Sequence, residues 1–597
     1  MKLFAFLFLL LNTFNFAHSQ NAEVNLIHNV EGRQKISLNG QWRIIIDPYE
    51  TGFYDYRYQE KGDGYFLNEK PKSKTHLIEY DFDKSETLNV PGDWNSQKEK
   101  LELYEGTIWY KKSFDYKVKS GVRTFIYFGA ANYESYVYIN GKKLGRHEGG
   151  FTPFNFEVTG LLNEKDNFVV VKVDDKRKRD GVPTLNTDWW NYGGITRDVY
   201  LVEVPESHIQ DYFIQLKDGS LKDVEGWVQL NGTNIKTDVK IEIPEVKFKQ
   251  QFVGTEKGKV KINFSAKLQL WSPENPKLYD VVISSGTDTI RELIGFRSIE
   301  TKGQDILLNG KSIFLKGVCI HEEAPQRGAR ANGIDDAKQL LGWAKELGCN
   351  YVRLAHYPHN ESMVRMADKM GLMVWSEIPV YWTIQYENDT VFAKAKSQLT
   401  EMISRDKNRA SIIIWSMANE TPLKESRNLF ISKLATHSRQ MDPTRLISAA
   451  LEIHRTDGNT MMLDDPLGEY LDVLGCNEYI GWYGGTMESC STKVWKTIYD
   501  KPLVMSEFGA EALYNHHGSA DEIWNEESQE YFYKCQVFML SKISFLRGTS
   551  PWILVDFKSP RRHLPGIQDF YNRKGLISDK GYKKKAWFVM KKFYETK

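Results

Sequence analysis

Ile412-Ile413-Ile414-Trp415-Ser416-Met417-Ala418-Asn419-Glu420 is an apolar run of strand length that ends on a carboxylate, and Leu503-Val504-Met505-Ser506-Glu507 repeats the design later in the chain. A short run that is apolar at successive positions, rather than at alternate ones, is what a strand buried on both faces requires. Six further runs of this kind flank the two: Ile313 to Gly317, Tyr351 to Arg353, Met373 to Trp375, Arg445 to Ala449, Val473 to Gly475 and Trp552 to Val555. Amphipathic stretches such as Ile334 to Leu347, Glu361 to Met370 and Ala393 to Ser404 lie between them. Eight βα units in about 300 residues predict a closed (β/α)8 TIM barrel. Reacting groups in such barrels stand at the carboxyl ends of strands, where Glu420 and Glu507 fall. Glycosidic cleavage uses such a pair: one carboxylic acid protonates the leaving oxygen, the other attacks the anomeric carbon, and a retaining pair stands about 5 to 5.5 Å apart. A single Glu past a strand is as well read as a solvated loop residue, so the pair carries the argument and neither member does alone.

Toward the amino terminus the rhythm changes. From Leu38 to Val204 short alternating segments such as Thr124 to Phe128, Ser135 to Ile139 and Phe168 to Val173 are broken by Gly, Pro and Asn, the period-two pattern of an antiparallel sandwich. Asn140-Gly141 between two such segments predicts a tight hairpin. A second β-rich stretch, with strands expected at Glu225 to Leu230 and Val239 to Ile243, has the length of an immunoglobulin-like sandwich. The expected division is a signal peptide over 1–20, a jelly-roll β-sandwich over 21–205, an immunoglobulin-like sandwich over 206–300 and the barrel over 301–597.

The signal peptide is read from Met1-Lys2, the apolar run Leu3 to Leu11 and the small residues about Ala17-His18-Ser19, and it predicts export to the periplasm or beyond. That run is too short for a permanent span, and no later stretch approaches the roughly 20 apolar residues a span needs. The absence of Cys before Cys319 argues against a lipid anchor at the cleavage point. The five cysteines show no CxxC pair or metal-ligand spacing, so they are read as buried thiols, with no metal and no organic cofactor expected. Lys plus Arg (79) nearly cancel Asp plus Glu (78), which leaves no global field for nucleic acid or an anionic membrane. Any taste for an acidic ligand must be local.

Longer motifs carry a resemblance. Asp406-Lys407-Asn408-Arg409 through Asn419-Glu420 resembles the acid/base signature of glycoside hydrolase family two, the group of β-galactosidases, β-glucuronidases and β-mannosidases, and Asn350-Tyr351-Val352-Arg353-Leu354-Ala355-His356-Tyr357-Pro358 resembles its second signature. Leu38-Asn39-Gly40-Gln41-Trp42, Val90-Pro91-Gly92-Asp93-Trp94 and Gly149-Gly150-Phe151 through Phe154 resemble its sugar-binding sandwich, while Trp271-Ser272-Pro273 and Gly295-Phe296-Arg297 resemble the close of its middle sandwich. The resemblance implies a double displacement in which Glu507 is the nucleophile and Glu420 the acid/base. It further implies that Asn419 bonds the sugar 2-hydroxyl, that Arg353 keeps Glu507 ionised and that His356 buttresses it.

The glycon is a separate question. Asn572 and Lys574 in Asn572-Arg573-Lys574 resemble the element by which β-glucuronidases grip the substrate carboxylate, and an ammonium with an amide donor suits that task. Asp188 in Asp188-Trp189-Trp190 resembles a residue that reaches the sugar from the first domain, Tyr479 and Tyr483 resemble active-site tyrosines, and His321 and Trp552 fall where that group has sugar contacts. The implied activity is a retaining exo-β-glucuronidase that trims terminal glucuronic acid from oligosaccharides during polysaccharide degradation. A β-galactosidase of the same family and a non-catalytic carbohydrate-binding protein stay open as alternatives, as does a homo-oligomer. The stretch Lys558 to Gly566 departs from the pattern, which puts the placing of Lys574 in doubt; Arg561 and Arg562 there are read as solvated, with an anionic neighbouring sugar as the alternative. Lys583 to Lys585 are read as solvated too, ahead of an exposed terminal helix carrying Trp587, Met590 and Phe593. Only Glu322 to Asn332 follows His321, so an open mouth suited to oligosaccharides is expected.

Overall fold

The computed structural model describes residues 26–61 and 70–597; the expected signal peptide lies outside them. Strand pairing closes the carboxyl-terminal half into a ring of eight parallel strands. They are β1 (Leu315–Lys316, resuming as Cys319–Ile320), β2 (Tyr351–Leu354), β3 (Met373–Glu377), β4 (Ile412–Asn419), β5 (Leu446–Leu451), β6 (Val473–Asn477), β7 (Leu503–Glu507) and β8 (Leu546–Thr549). The first half of β1 pairs with β8 and the second with β2, which seals the barrel. Between the halves Gly317 N donates to Thr549 O at 2.9 Å, so the ladder is not broken. A Cβ on Gly317 would stand 2.1 Å from the Tyr351 ring, which is why glycine holds this position.

Every residue of β4 is buried, as the unbroken apolar run requires. Around the ring lie α1 (Ile334–Leu347), α2 (Glu361–Met370), α3 (Asp389–Asp406), α4 (Glu425–Met441), α5 (Glu526–Leu540) and α6 (Lys585–Glu595). Side chains of Asn360, Asn388 and Asn525 cap α2, α3 and α5, and left-handed Gly348 and Gly371 end α1 and α2. The end of the barrel opposite the mouth is plugged by Trp271, Ile299, Ile306 and Leu308 packed on Leu315, Tyr351 and Met373.

Two sandwiches precede the barrel. The first packs a six-stranded antiparallel sheet on a four-stranded one around Trp42, Ile108, Val137 and Val171. Its hairpin turns at Asn140 (φ 48°) and Gly141 (φ 87°), the left-handed pair that a two-residue loop demands. The second packs three strands on four, with Ile241, Ile262 and Ile283 among its buried residues, in immunoglobulin-like fashion. Among the described residues no helix is long and apolar enough to cross a membrane.

Three expectations are corrected. The eighth strand is Leu546–Thr549 and not Trp552 to Val555. Gly548 permits the close approach to β1, where a Cβ would lie 2.7 Å from the Leu315 Cβ. Trp552 to Val555 is apolar because it is buried in the mouth, its backbone bonded to Phe508, Lys574 and, at one residue of β1, Cys319, without forming a strand ladder of its own. Lys584 is fully buried, not solvated: its ammonium donates to Asp556 Oδ1 (2.7 Å) and to the carbonyls of Ala512 and Arg573. The terminal helix α6 is likewise docked, with Trp587, Met590 and Phe593 all buried.

Removing one member of a buried ion pair strands the other charge. Lys584→Met should therefore destabilise the barrel by about 3 kcal/mol, read as a lower urea midpoint at unchanged slope. An unshifted midpoint would show that Asp556 does not need its partner.

Candidate active site

The carboxyl ends of β3, β4 and β7 converge on one guanidinium carried by β2. Arg353, at the end of β2, is 0% exposed; its Nη1 donates to Glu507 Oε1 at 2.8 Å and to Ser506 O at 3.1 Å, and its Nη2 donates to Glu377 Oε1 at 3.1 Å and to Asn419 Oδ1 at 2.7 Å. Glu377, the last residue of β3, also accepts from Trp375 Nε1 at 2.9 Å and pairs with His356 Nδ1 at 2.7 Å. Burial alone would push the Glu377 carboxyl up, but Arg353, His356 and Trp375 outweigh it and hold it at about 2. Glu377 is thus a fixed anion that orients Arg353 and His356.

Glu507 is differently balanced. Burial raises it, Arg353 opposes, the charge of Glu420 raises it again, and His356 with the 2.6 Å hydrogen bond from the Tyr479 hydroxyl opposes; the sum lies above the usual carboxylate range. Glu420 itself sits just past β4 in a left-handed backbone conformation (φ 48°), a strained geometry for a residue with a Cβ. Its N–H donates to Ala450 O, and Trp382 Nε1 donates to its Oε2 at 2.8 Å. One carboxylate is therefore deep and one half-buried, which suits attack by the first and proton exchange with solvent or a leaving oxygen by the second.

Asn419 Oδ1 accepts from Arg353 and Asn477, while its buried Nδ2 has no acceptor among the described residues and is available as a donor. His321 Nδ1 meets the Tyr357 hydroxyl at 3.1 Å and its Nε2 is likewise unpartnered. Burial, reinforced by the positive surroundings of His356, Arg330 and Arg353, keeps His321 neutral, far below its ordinary value. The Trp552 ring stacks on His356 with centroids 4.8 Å apart and meets His321 edge-on at 5.2 Å. Tyr479 thus bonds Glu507 directly, Asn419 reaches it through Arg353, and Trp552 and His321 reach it through His356.

A second cluster stands beside it. Lys574 Nζ donates to the Tyr483 hydroxyl at 2.8 Å and to Glu511 Oε1 at 3.1 Å, and lies 5.8 Å from the Tyr479 ring centre. The unusual loop before it leaves Lys574 next to both tyrosines. Asn572 is buried, its Oδ1 accepting from the Lys574 N–H and its Nδ2 donating to Asp188 Oδ2 at 3.2 Å. The solvated reading of Arg562 is overturned: it pairs with Asp188 through both Nε and Nη2, with Glu511 at 3.5 Å and with Tyr483 at 3.3 Å. Arg561 stacks its guanidinium over Trp382 at 4.8 Å. Neither Arg327 nor Arg330 meets this cluster, since Arg327 forks onto Asp336 and buried Arg330 pairs with Glu322. Among the described residues no group of three or more His, Cys, Asp or Glu could hold a metal ion; four cysteines are buried and Cys535 is partly so, all free thiols.

Sequence reasoning missed Glu377, Trp382 and Glu511. The first had a signal, since Glu377 is the first carboxylate after the third apolar run, the same rule that selected Glu420 and Glu507. Trp382 and Glu511 lie on loops whose course depends on tertiary packing.

Comparison with known proteins finds three family models in chain order: the sugar binding domain of glycosyl hydrolases family 2 over residues 36–205, the family's middle domain over 207–297 and its TIM barrel domain over 299–594. The beta-glucuronidase of Paenibacillus borealis is 27% identical over 607 residues, covering 92% of this chain and 94% of that protein. The beta-glucuronidase of Streptococcus agalactiae serotype V is 28% identical over 570 residues, covering 86% and 92%. Among solved structures, a beta-glucuronidase of an uncultured Clostridium species superposes with a TM-score of 0.79 at 26% identity, over 96% of this chain and 99% of that one. A beta-galacturonidase of Eisenbergiella tayi bound to galacturonate shares the fold, with a TM-score of 0.76 at 23% identity over 96% and 98%.

The Tyr479 hydrogen bond lowers the Glu507 pKa, so its loss must raise it. Tyr479→Phe should move the acidic limb of the pH profile of kcat/KM upward, because an activity that needs the Glu507 carboxylate is lost as pH falls through a now higher value. A limb that stays put or moves down would mean that another group sets it.

Proposed function

The chain belongs to glycosyl hydrolases family 2, and from that premise we propose that it is a retaining exo-β-glucuronidase acting on uronide-containing oligosaccharides in polysaccharide degradation. What carries the glycon reading is one observation: Lys574 Nζ and Arg562 Nη2 converge on the Tyr483 hydroxyl, at 2.8 and 3.3 Å, beside the tyrosine bonded to Glu507. Two cations bracketing one acceptor offer charge-assisted bonds to a C6 carboxylate that takes the phenol's place. The β-glucuronidase relatives support the same glycon.

Glu507 attacks the anomeric carbon from the face opposite the leaving group, and its Oε forms the new bond as the glycosidic C–O bond breaks. Glu420 gives its proton to the departing oxygen. Glu420, now ionised, takes a proton from water, whose oxygen displaces Glu507 and restores the original anomeric configuration. The free donor of Asn419 suits the sugar 2-hydroxyl, and His321, kept neutral, offers its unpartnered Nε2 without adding charge. Asp188, delivered from the first sandwich, is held for the glycon by Arg562, Ser559 and Asn572. Export is part of the same reading, supported by the apolar run Leu3 to Leu11 behind Lys2.

The test is a panel of nitrophenyl glucuronide, galacturonide and galactoside, with Lys574→Ala and Arg562→Ala alongside the wild type. Each variant should lower kcat/KM on the glucuronide by about 10- to 100-fold, the worth of a charge-assisted bond, and spare the galactoside. A preference for the galactoside, or equal losses on both, would defeat the carboxylate clamp. Glu507→Ala should abolish turnover, with azide restoring cleavage to an α-configured glycosyl azide. A β-configured azide product would remove Glu507 from the nucleophile's role.

A further inference from the structure

After β5 the chain leaves the barrel as a hairpin, His454–Arg455 against Thr460–Leu463, and Val494–Thr497 adds a third strand in parallel to the latter. This small sheet walls a cavity of about 330 Å³ on the side of the mouth where Glu420 stands. Trp382 and Ile453 supply apolar surface to the cavity, with Leu451 and Met461 buried behind them, and Glu452 and Arg455 supply charge. Glu452 is the first residue past β5, half-buried, with its backbone fixed by a 3.1 Å bond from its N–H to Asp465 Oδ2. Unlike Glu377, Glu507 and Glu511, its carboxylate has no hydrogen-bond or ion-pair partner among the described residues. It lines the same cavity as Glu420, and burial and then the Glu420 charge raise its pKa. Nearby Arg427 does not serve it, being committed to Asp465 and Thr421.

A half-exposed carboxylate that lines a cavity and accepts from no protein donor is free to accept from a ligand that enters. Glu420 lines this cavity, so with Glu420 as the acid its occupant is what departs. We infer that Glu452 is a specificity-determining residue for the leaving group, accepting hydrogen bonds from the hydroxyls of a sugar unit that lies against Trp382 and Ile453. The pairing of an apolar wall with an acceptor suits a pyranose, which offers C–H faces and O–H edges together. An aryl leaving group has the faces and lacks the donors. This rests on the reading of Glu420 as the acid and does not depend on which glycon precedes it.

The experiment measures kcat and KM for a nitrophenyl glycoside and for a disaccharide carrying the same glycon, in wild type, Glu452→Ala and Glu452→Gln, with melting temperature as the check on folding. Loss of the acceptor should cut kcat/KM on the disaccharide about tenfold more than on the nitrophenyl glycoside in Glu452→Ala, with Glu452→Gln intermediate. Losses on the two substrates that agree within about twofold would overturn the inference. So would an equal displacement of the basic limb on both substrates, since Glu452 would then act through the proton affinity of Glu420. Because the ratio can be read on whichever glycon is cleaved, failure of the glucuronide reading and failure of this inference are separate results.

Discussion

The Arg353 guanidinium lies fully buried between two carboxylates, Glu377 and Glu507, and the site is assembled around that contact. Three charges taken out of water would be ruinous singly; together, with Trp375, Asn419 and the Ser506 carbonyl completing their hydrogen bonds, they form a satisfied network. The arrangement fixes a hierarchy. Glu377 is driven to permanent ionisation, while Glu507 shares Arg353 with it and retains a raised proton affinity. A nucleophile bound too tightly by cations would be a poor one, and the presence of Glu377 means that Arg353 is only partly spent on Glu507.

The barrel was legible in the sequence because its strands are buried on both faces: β4 and β7 read as unbroken apolar runs that stop at the carboxylate. The same cue misled at Trp552 to Val555, where an apolar run is buried by loops instead of by strands, while the true β8 hides its character behind Arg547 and Gly548. Periodicity reports burial and cannot say what does the burying. The charged residues show the converse limit. Lys584 sits in a run of three lysines that reads as surface, and only the approach of Asp556 and two carbonyls makes its burial possible. Arg562 was misread for the same reason, since Asp188 lies in another domain and the partner is invisible along the chain.

Asp188, His321, Asn419, Tyr479, Tyr483, Trp552, Asn572 and Lys574 were all legible by resemblance; Asn419, Tyr479, His321 and Trp552 stand about Arg353, Glu507 and His356, and Asp188, Tyr483, Asn572 and Lys574 form the adjoining cluster. What the motifs did not convey is the charge around them. Lys574 and Arg562 are balanced by Glu511 and Asp188, so the cluster is close to neutral before any ligand arrives. Burial would raise Glu511, yet Lys574 and Arg562 hold it ionised.

Asp188 belongs to the first sandwich, and its partners Ser559, Arg562 and Asn572 belong to the barrel. The end of the site that holds Asp188 is thus a seam between sandwich and barrel, and Trp189 of the sandwich also packs on His356, 5.8 Å between ring centroids, while both carboxylates are carried at the ends of barrel strands. Withdrawing the sandwich would strip Arg562 of its anchor and His356 of one aromatic neighbour. If the seam reads the glycon as proposed, variation at Asp188 and its barrel partners is a route to new sugars that leaves Glu420 and Glu507 at the same strand ends.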